Sequence, residues 1–419
     1  MSRLFEKLVP ARLGVSFRWL VASNWISNLG DGFALAAGPL LVASATRSPT
    51  LVAMATLLQR LPWLLFSVFA GAFADRYNRV AIVAGVDTLR SAALVSLAMT
   101  MLLGQINITL VLAIMFVLGT AEVFTNTASS TILPSLVARD DLTLANGRLG
   151  IGFVTLFQLV GPPIGAALFA TNRSVPFLGQ AGLVLFGAML VTRVKPITTI
   201  GRPPTGPRMR TDIADGFRWV ILHPSVRTLV VTIFAFNITF GAAWSILVLY
   251  ARQRLHMGPV GFGLLTTAAA VGGLLGTISY GRIIARIRLW QIMRVGLIIE
   301  TLTHLGLALT TTPAVALAIM VIFGAHAFIW NTTSITIRQR AVPNELQGRV
   351  SSVNSLGTFA GLVIGAAIGG PMAARWGITA PFWFGFVGSG ALVVVIWRHL
   401  TNIAHDNGEL CTPAAPSNS

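Results

Sequence analysis

Residues 51–103 read LVAMATLLQRLPWLLFSVFAGAFADRYNRVAIVAGVDTLRSAALVSLAMTMLL. Two apolar runs, Leu51–Ala74 and Val80–Leu103, flank the polar break Asp75-Arg76-Tyr77-Asn78-Arg79. A helix crosses the hydrocarbon core of a bilayer with about 20 mostly apolar residues, and each run has that length. The segment therefore reads as two membrane helices joined by a short polar turn.

Stretches of the same kind recur on both sides: Phe17–Ala43, Thr109–Leu133, Asn146–Ala170, Val175–Thr192, Thr228–Tyr250, Val260–Ile283, Leu289–Leu309, Ala314–Ile337, Val353–Ala374 and Ala380–Arg398. With the first two they make six, a polar and basic segment, and six more. The 419 residues are 54% hydrophobic and 10% charged, with a mean hydropathy of +0.77. A soluble domain carries about 25% charged residues, so this chain cannot coat a water-soluble globule, and a soluble enzyme is excluded. The basic N-terminus (Arg3, Glu6, Lys7, Arg12) precedes an apolar stretch too long for a signal peptide, which reads as a first transmembrane helix. The single cysteine, Cys411, can form no internal disulfide. Only Lys7 and Lys195 among the 30 basic residues are lysines, a usage associated with a GC-rich bacterial genome.

The net charge of +17 would suggest nucleic acid in a soluble protein. Here its distribution is that of a topology signal. With the N-terminus in the cytoplasm, 23 basic residues fall on the cytoplasmic side and 5 on the other (Arg47, Arg173, Arg252, Arg254, Arg375). Arg60 and Arg90 remain inside the membrane. Both termini are thus expected in the cytoplasm. The organisation expected is an N-terminal bundle over 1–192, a cytoplasmic linker over 193–227, a C-terminal bundle over 228–398 and a disordered tail over 399–419. The linker carries Pro196, Pro203, Pro204 and Pro207 before an amphipathic piece near Asp212–Leu222.

The halves repeat weakly. Leu144-Ala-Asn-Gly-Arg148 in one half matches Leu346-Gln-Gly-Arg349 in the other. Each precedes a glycine-rich stretch, Gly161-Pro-Pro-Ile-Gly165 and Gly361 through Gly365 to Gly369-Gly370-Pro371. Paired repeats in a twelve-helix chain are typical of secondary transporters, with a substrate site near the midplane. The expected fold is an all-α integral membrane protein with twelve transmembrane helices in two pseudo-symmetric six-helix bundles.

Gly71-Ala-Phe-Ala-Asp75-Arg76-Tyr-Asn-Arg79 resembles the loop signature of the major facilitator superfamily, with Asn78 in place of a glycine and Val80 in place of a second basic residue. The corresponding place in the second half, Gly276 to Arg286, has Tyr280 where the acid should be. Ser27-Asn-Leu-Gly-Asp31, Leu142-Thr-Leu-Ala-Asn146, Gly161-Pro162, Gly216-Phe-Arg-Trp219 with His223-Pro224, and Gln339-Arg-Ala-Val-Pro343 through Gly348-Arg349-Val350 are similar to the branch of siderophore, macrolide and multidrug exporters. The resemblance implies that Gly71, Asp75, Arg76 and Arg79 form a cytoplasmic gate that latches the halves together, against the plainer reading of helix capping. It implies likewise that Gly161, Pro162 and Gly165 resemble the antiporter motif of proton-driven exporters, against plain close packing.

Charges inside a membrane are costly and usually face a cavity or one another. Asp31 closes a polar stripe with Asn24 and Asn28, about 20 Å along its helix from Phe17. Glu122 begins a second stripe with Asn126 and Ser129. Asp31 and Glu122 are the candidates for proton coupling, each also readable as a carboxylate permanently paired with arginine. Arg60 lies about 15 Å into its helix, as a counter-ion to either carboxylate or a site for an anion. Asp87 and Arg90, three residues apart, read as a mutually neutralising pair. In the second half Glu300 and His304 form either a proton relay or a satisfied polar pair, and His326, Trp330 and Thr333 share a face. Asn237 and Trp244, with Phe236 or Phe240, are weaker candidates for the cavity wall. No spacing suggests a metal site, and no phosphate-binding loop supports ATP drive.

The function expected is export of amphipathic, drug-like small molecules across the inner membrane by proton antiport and alternating access. It needs no cofactor beyond the proton gradient and no nucleic acid, and the protein reads as a monomer. A siderophore exporter or a lysophospholipid transporter of the same fold is the alternative.

Overall fold

In the computed structural model the described residues are 10–195, 209–343 and 345–400, and all of them lie in helices and the turns between them. Expectations for Arg3, Glu6, Lys7, Pro196, Pro203, Pro204, Pro207, Cys411 and the tail from residue 401 fall outside the described residues.

Helix α1 spans Val15–Ala45, α2 Pro49–Arg76, α3 Arg79–Leu102 and α4 Ile108–Ile132. Helix α5 is built of Leu142–Gly152, a π-helical segment Phe153–Val160, and Gly161–Thr171; α6 spans Val175–Val191. A linker helix, Met209–Leu222, realises the expected amphipathic piece. Helix α7 runs Pro224–Trp244 and resumes after a turn as Leu247–Gln253. Then come α8 Pro259–Ile284, α9 Leu289–Leu309, α10 Pro313–Ala341, α11 Gln347–Trp376 and α12 Ala380–Ile396. Ten of these are long and apolar enough to cross a membrane. The sixth and twelfth expected spans are shorter apolar helices of 17 residues each. At 1.5 Å per residue they reach about 26 Å, the lower limit for a span.

Local chemistry sets the helix starts. Pro49, Pro176, Pro224, Pro259, Pro313 and Pro381 occupy first turns, where the missing N–H leaves no bond unmade. Asn78 caps α3 by accepting from the N–H groups of Val80 and Ala81, and Asn107 caps α4 through Leu110. The π-helical segment of α5 ends where Pro162 and Pro163 remove two successive donors. Proline rings also crowd the preceding turn. The Gly161 N–H accordingly reaches back five residues to the Leu156 carbonyl, and the turn widens.

The same packing pattern appears twice. In the first half α1 lies against α5 and α6, α2 against α4, and α3 against α4 and α6. In the second half α7 lies against α11 and α12, α8 against α10, and α9 against α10 and α12. Across the halves α2 meets α11 and α5 meets α8. Glycines mark corresponding close approaches. A Cβ on Gly32 would lie 2.8 Å from the Gly161 Cα, and one on Gly365 would lie 2.9 Å from the Gly241 Cα. Gly165 packs on the backbone of Phe33, and Gly369 on that of Ala242.

The hydrophobic core is distributed unequally between the two ends of the molecule. At the end away from the N-terminus one continuous cluster draws on all twelve helices, including Leu41, Val52, Leu97, Met115, Phe169, Phe177, Tyr250, Leu265, Leu307, Met320, Ala373 and Phe382. At the N-terminal end the core divides. One cluster around Phe17, Val80, Ile132 and Val191 belongs to the first half. Two others, around Leu229, Met293 and Ile337 and around Val220 and Val350, belong to the second half and the linker helix. The halves share one core at the far end and have separate cores at the N-terminal end, so they part towards the N-terminal face.

Candidate functional site

Halfway along the helices lie the charges that the sequence placed inside the membrane. Arg90 of α3 donates from its guanidinium to Asp31 of α1 and lies 3.7 Å from Asp87, one turn back on its own helix. The Gln180 amide of α6 donates to Asp31 over 3.1 Å, and the Thr125 hydroxyl of α4 donates to Asp87 over 3.1 Å. Four helices therefore converge on one arginine. Asp87 and Arg90 are buried, whereas the Asp31 side chain keeps 24% of its surface exposed. A buried charge held by a partner and by hydrogen bonds satisfies the condition for staying ionised in such a place. The sequence reading paired Asp87 with Arg90 alone; the closer bond goes to Asp31, 59 residues away.

Glu122 of α4 is partly exposed and, among the described residues, has no cationic nitrogen within the 4.0 Å of an ion pair. The fields of Arg60 and then Arg90 reach it. Arg60, midway along α2, is partly exposed and has no carboxylate within that distance among the described residues. Asn126 lies exposed one turn from Glu122. On α1 the Asn28 amide donates to Asn24 over 2.8 Å, continuing the polar stripe from Asp31 towards the open end. Polar side chains accessible at this depth line water rather than lipid. Inside the membrane the first half thus holds three carboxylates, Asp31, Asp87 and Glu122, against two arginines, Arg60 and Arg90.

In the second half His326 of α10 lies with Nε2 2.8 Å from the Glu300 carboxylate of α9. The sequence pairing of Glu300 with His304 is looser: His304 Nδ1 lies 3.0 Å from the Glu300 backbone carbonyl and 4.0 Å from its carboxylate. The three side chains are buried, and His304 is entirely so. An aromatic group adjoins them, with Phe240 stacked on Trp244 at 4.2 Å, Phe323 4.7 Å from Trp244, and His304 edge-on to Trp244 at 6.1 Å. Asn237 donates to the Ile233 carbonyl of its own helix, and the Trp330 indole N–H is buried without a hydrogen-bond partner.

Among the described residues, Asp75 and Arg79 of the loop signature make their ion pair and side-chain hydrogen bonds within the first half. Asp75 at the end of α2 pairs with Arg79 at the start of α3 over 3.8 Å, and Arg79 also donates to the carbonyls of Ala74 and Thr131 at the ends of α2 and α4. Asp75 and Arg76 are exposed, and Gly71 has open space on its Cβ side. Gly161, Pro162 and Gly165 are buried against α1, and a Cβ on Gly263 of α8 would lie 3.1 Å from the Pro162 carbonyl. Among the described residues no group of three or more His, Cys, Asp or Glu is arranged to hold a metal ion.

Three contributors were not singled out from the sequence. Gln180 and Thr125 hold the carboxylates, and a glutamine inside an apolar stretch was a readable signal for the first. Arg252, counted only as a loop charge, donates to the Ala43 carbonyl at the end of α1 over 2.7 Å and ties the halves together at the closed end.

Comparison with known proteins agrees with this geometry. A family model described as "Transmembrane secretion effector" matches residues 6–411. The multidrug efflux pump Tap of Mycolicibacterium fortuitum is 27% identical over 84% of this chain and 88% of its own. The enterobactin exporter EntS of Salmonella choleraesuis is 24% identical over 92% of this chain and 93% of its own. A bacterial homologue of the iron transporter ferroportin, solved in an inward-facing state, superposes with a TM-score of 0.74 at 16% identity, covering 96% of this chain and all of the other. The nucleoside transporter NupG gives 0.70 at 12% identity, covering 93% of this chain and 99% of the other. At such identities the solved structures bear on the fold alone.

Proposed function

Because the chain belongs to the transmembrane secretion effector family of the major facilitator superfamily, and is a membrane transporter and not an enzyme, we propose that it exports amphipathic small molecules from the cytoplasm in exchange for protons. The observation that carries the reading is a partly exposed carboxylate, Glu122, near a held ion pair, Asp31–Arg90, in a molecule whose halves share a core at one end and part at the N-terminal face. That face bears the excess of arginine, which assigns it to the cytoplasm, with both termini there and the protein in the bacterial inner membrane. The six helices on each side of the linker act as the two rocking units, and α6 and α12 complete twelve spans.

In this reading the structure is the inward-facing state. A cationic or amphipathic substrate enters from the cytoplasm and competes with a proton for Glu122. Reorientation closes the arginine-rich face, where Asp75 then meets the second half, and opens the far face by parting α1 from the Arg252 segment. Protonation of Glu122 from outside releases the substrate, and the protonated carrier returns. Asp31, held by Arg90 and Gln180, positions α1 and passes the protonation state of the cluster to α3 and α6.

The test is the purified chain in liposomes with a trapped pH dye, given ethidium, a macrolide, tetracycline or an acidic siderophore in turn. Substrate-dependent proton movement is expected, lost in Glu122→Gln and impaired in Asp31→Asn. Flux that survives Glu122→Gln with unchanged pH dependence refutes the assignment. A second reading, siderophore export, is favoured by Arg60, which faces the cavity without a carboxylate within ion-pair distance, and by the likeness to EntS. Under it only the siderophore moves protons, and Arg60→Gln abolishes the response.

A further inference from the structure

Arg90 is the twelfth residue of α3 and Glu300 the twelfth residue of α9, the corresponding helix of the second half. The two helices are packed alike, α3 on α4 and α6, α9 on α10 and α12. The repeat has therefore put opposite charges at one place in two equivalent bundles, and their surroundings differ. Arg90 has two carboxylates for neighbours. Glu300 has no arginine or lysine nitrogen within 4.0 Å among the described residues.

The groups that face Glu300 are few. From α10 comes His326, 2.8 Å from one carboxylate oxygen. From α9 itself comes His304, 4.0 Å from the other. Helix α12 contributes no titratable side chain; Gly385 lies against the His304 ring and Ser389 donates to its own helix. Helix α7 contributes the rings of Phe240 and Trp244. Arg294, two turns along α9, is engaged with Trp290 and Trp397 and the Trp397 carbonyl.

An ionised Glu300 between two neutral imidazoles would be an uncompensated charge in the middle of a membrane, a situation that proteins avoid. One proton removes it. The proton resides either on the carboxyl, facing a neutral His326, or on His326, facing a carboxylate, and both forms have zero net charge. Two further atoms make the site capable of exchange. His326 Nδ1 and His304 Nε2 are buried with no hydrogen-bond partner. A ring with a bonded nitrogen on one side and an unoccupied one on the other can take up a proton at one and yield it at the other. His326 is 8% exposed and His304 not at all, so the pair stands at the edge of the dry core.

We propose that Glu300 and His326 form a proton-binding site of the second half, separate from the carboxylates of the first and loaded with one proton per chain. As a step in transport this rests on the proton-exchange reading above; as a binding site it does not. His304 is a positioning residue, its ring held over Gly385 and against Trp244.

The purified full chain in unbuffered detergent solution is titrated across about pH 5 to 8, where histidine-linked groups exchange protons, beside Glu300→Gln and His326→Gln. Wild type is expected to release about one proton more than Glu300→Gln over this range, together with a protonated-carboxyl infrared band or a histidinium signal that the variant lacks. His326→Gln shifts the midpoint of that release, because the carboxyl loses its imidazole. Glutamine keeps the acceptor for His326 and nearly the volume of Glu300, and if Glu300→Gln fails to fold, the His326→Gln shift carries the test. Identical proton release in all three proteins overturns the proposal. Liposomes containing ethidium separate the two readings. Proton release by the Glu300 pair with no ethidium-driven proton movement sinks the exporter reading and leaves the site standing. Ethidium-driven movement identical in wild type and Glu300→Gln shows that the second site has no part in coupling.

Discussion

Arg90 and Glu300 stand at matching positions of matching helices, and the difference between their neighbourhoods separates two ways of keeping a charge inside a membrane. The first half neutralises with a fixed opposite charge: Asp31 and Asp87 share Arg90, Gln180 donates to Asp31 and Thr125 donates to Asp87. The second half has no fixed cation at its carboxylate and relies on imidazole. A salt bridge of permanent ions is a rigid joint between helices. A carboxylate facing histidine changes its charge with its proton, and so changes what α9 and α10 gain from packing together.

Removing the two central groups should expose this difference most strongly. Arg90→Leu strands Asp31 and Asp87 in a buried site without a cation, and breaking such a cluster costs about 3–5 kcal/mol. Glu300→Leu removes the charge with its need for a partner and leaves only His326 unsatisfied, at about 1–3 kcal/mol. Thermal unfolding in detergent should therefore rank Arg90→Leu well below Glu300→Leu. Equal melting temperatures would break the comparison.

The glycine contacts test the likeness of the halves. Gly165→Val drives a branched side chain into the backbone of Phe33, and Gly369→Val does the same against Ala242. Overpacking of this kind costs about 1–3 kcal/mol. The two losses should match within a factor of about two. A harmless Gly369→Val would mean that α7 and α11 are not bound as α1 and α5 are.

A smaller effect is expected at the closed end. Arg252→Ala removes one hydrogen bond between the halves, worth about 0.5–1.5 kcal/mol. The open-to-closed ratio of that end should rise about two- to twelvefold by the same measure. Distances between spin labels placed on the ends of α1 and α8 report it, and an unchanged distribution would exclude Arg252 from closure.

Least of all should change with Asp75→Asn in the conformation described. Its exposed pair with Arg79 across the α2–α3 turn is worth about 0.2–1 kcal/mol at most, so melting should hardly move. Transport should nevertheless fall, because the contact that Asp75 makes on the closed cytoplasmic face is lost. Normal transport by Asp75→Asn would reduce the loop signature to a helix cap.

Much of this was legible in the chain. Hydropathy over some 20 residues is a local property, so nearly every helix was countable, and only the short α6 and α12 fell below the length of the others. Proline in first turns and Asn78 and Asn107 at caps act within a few residues of themselves. Six intramembrane charges, Asp31, Arg60, Asp87, Arg90, Glu122 and Glu300, could be named, because lipid makes any charge conspicuous. Their partners could not. The spacing of Asp87 and Arg90 offered a neighbour, and the closer bond went to Asp31 on another helix; Glu300 offered His304 one turn on and found His326 across a helix interface.

Sequence by itself determined a helical membrane protein with an internal repeat and charge at its centre, because the cost of exposing polar backbone and charge to hydrocarbon is met segment by segment. The tertiary structure alone decided which carboxylates Arg90 holds, that Glu300 has only imidazole beside it, and which face is open. Those depend on contacts between residues 26 to 209 positions apart, set by the packing of helices whose order no local pattern encodes.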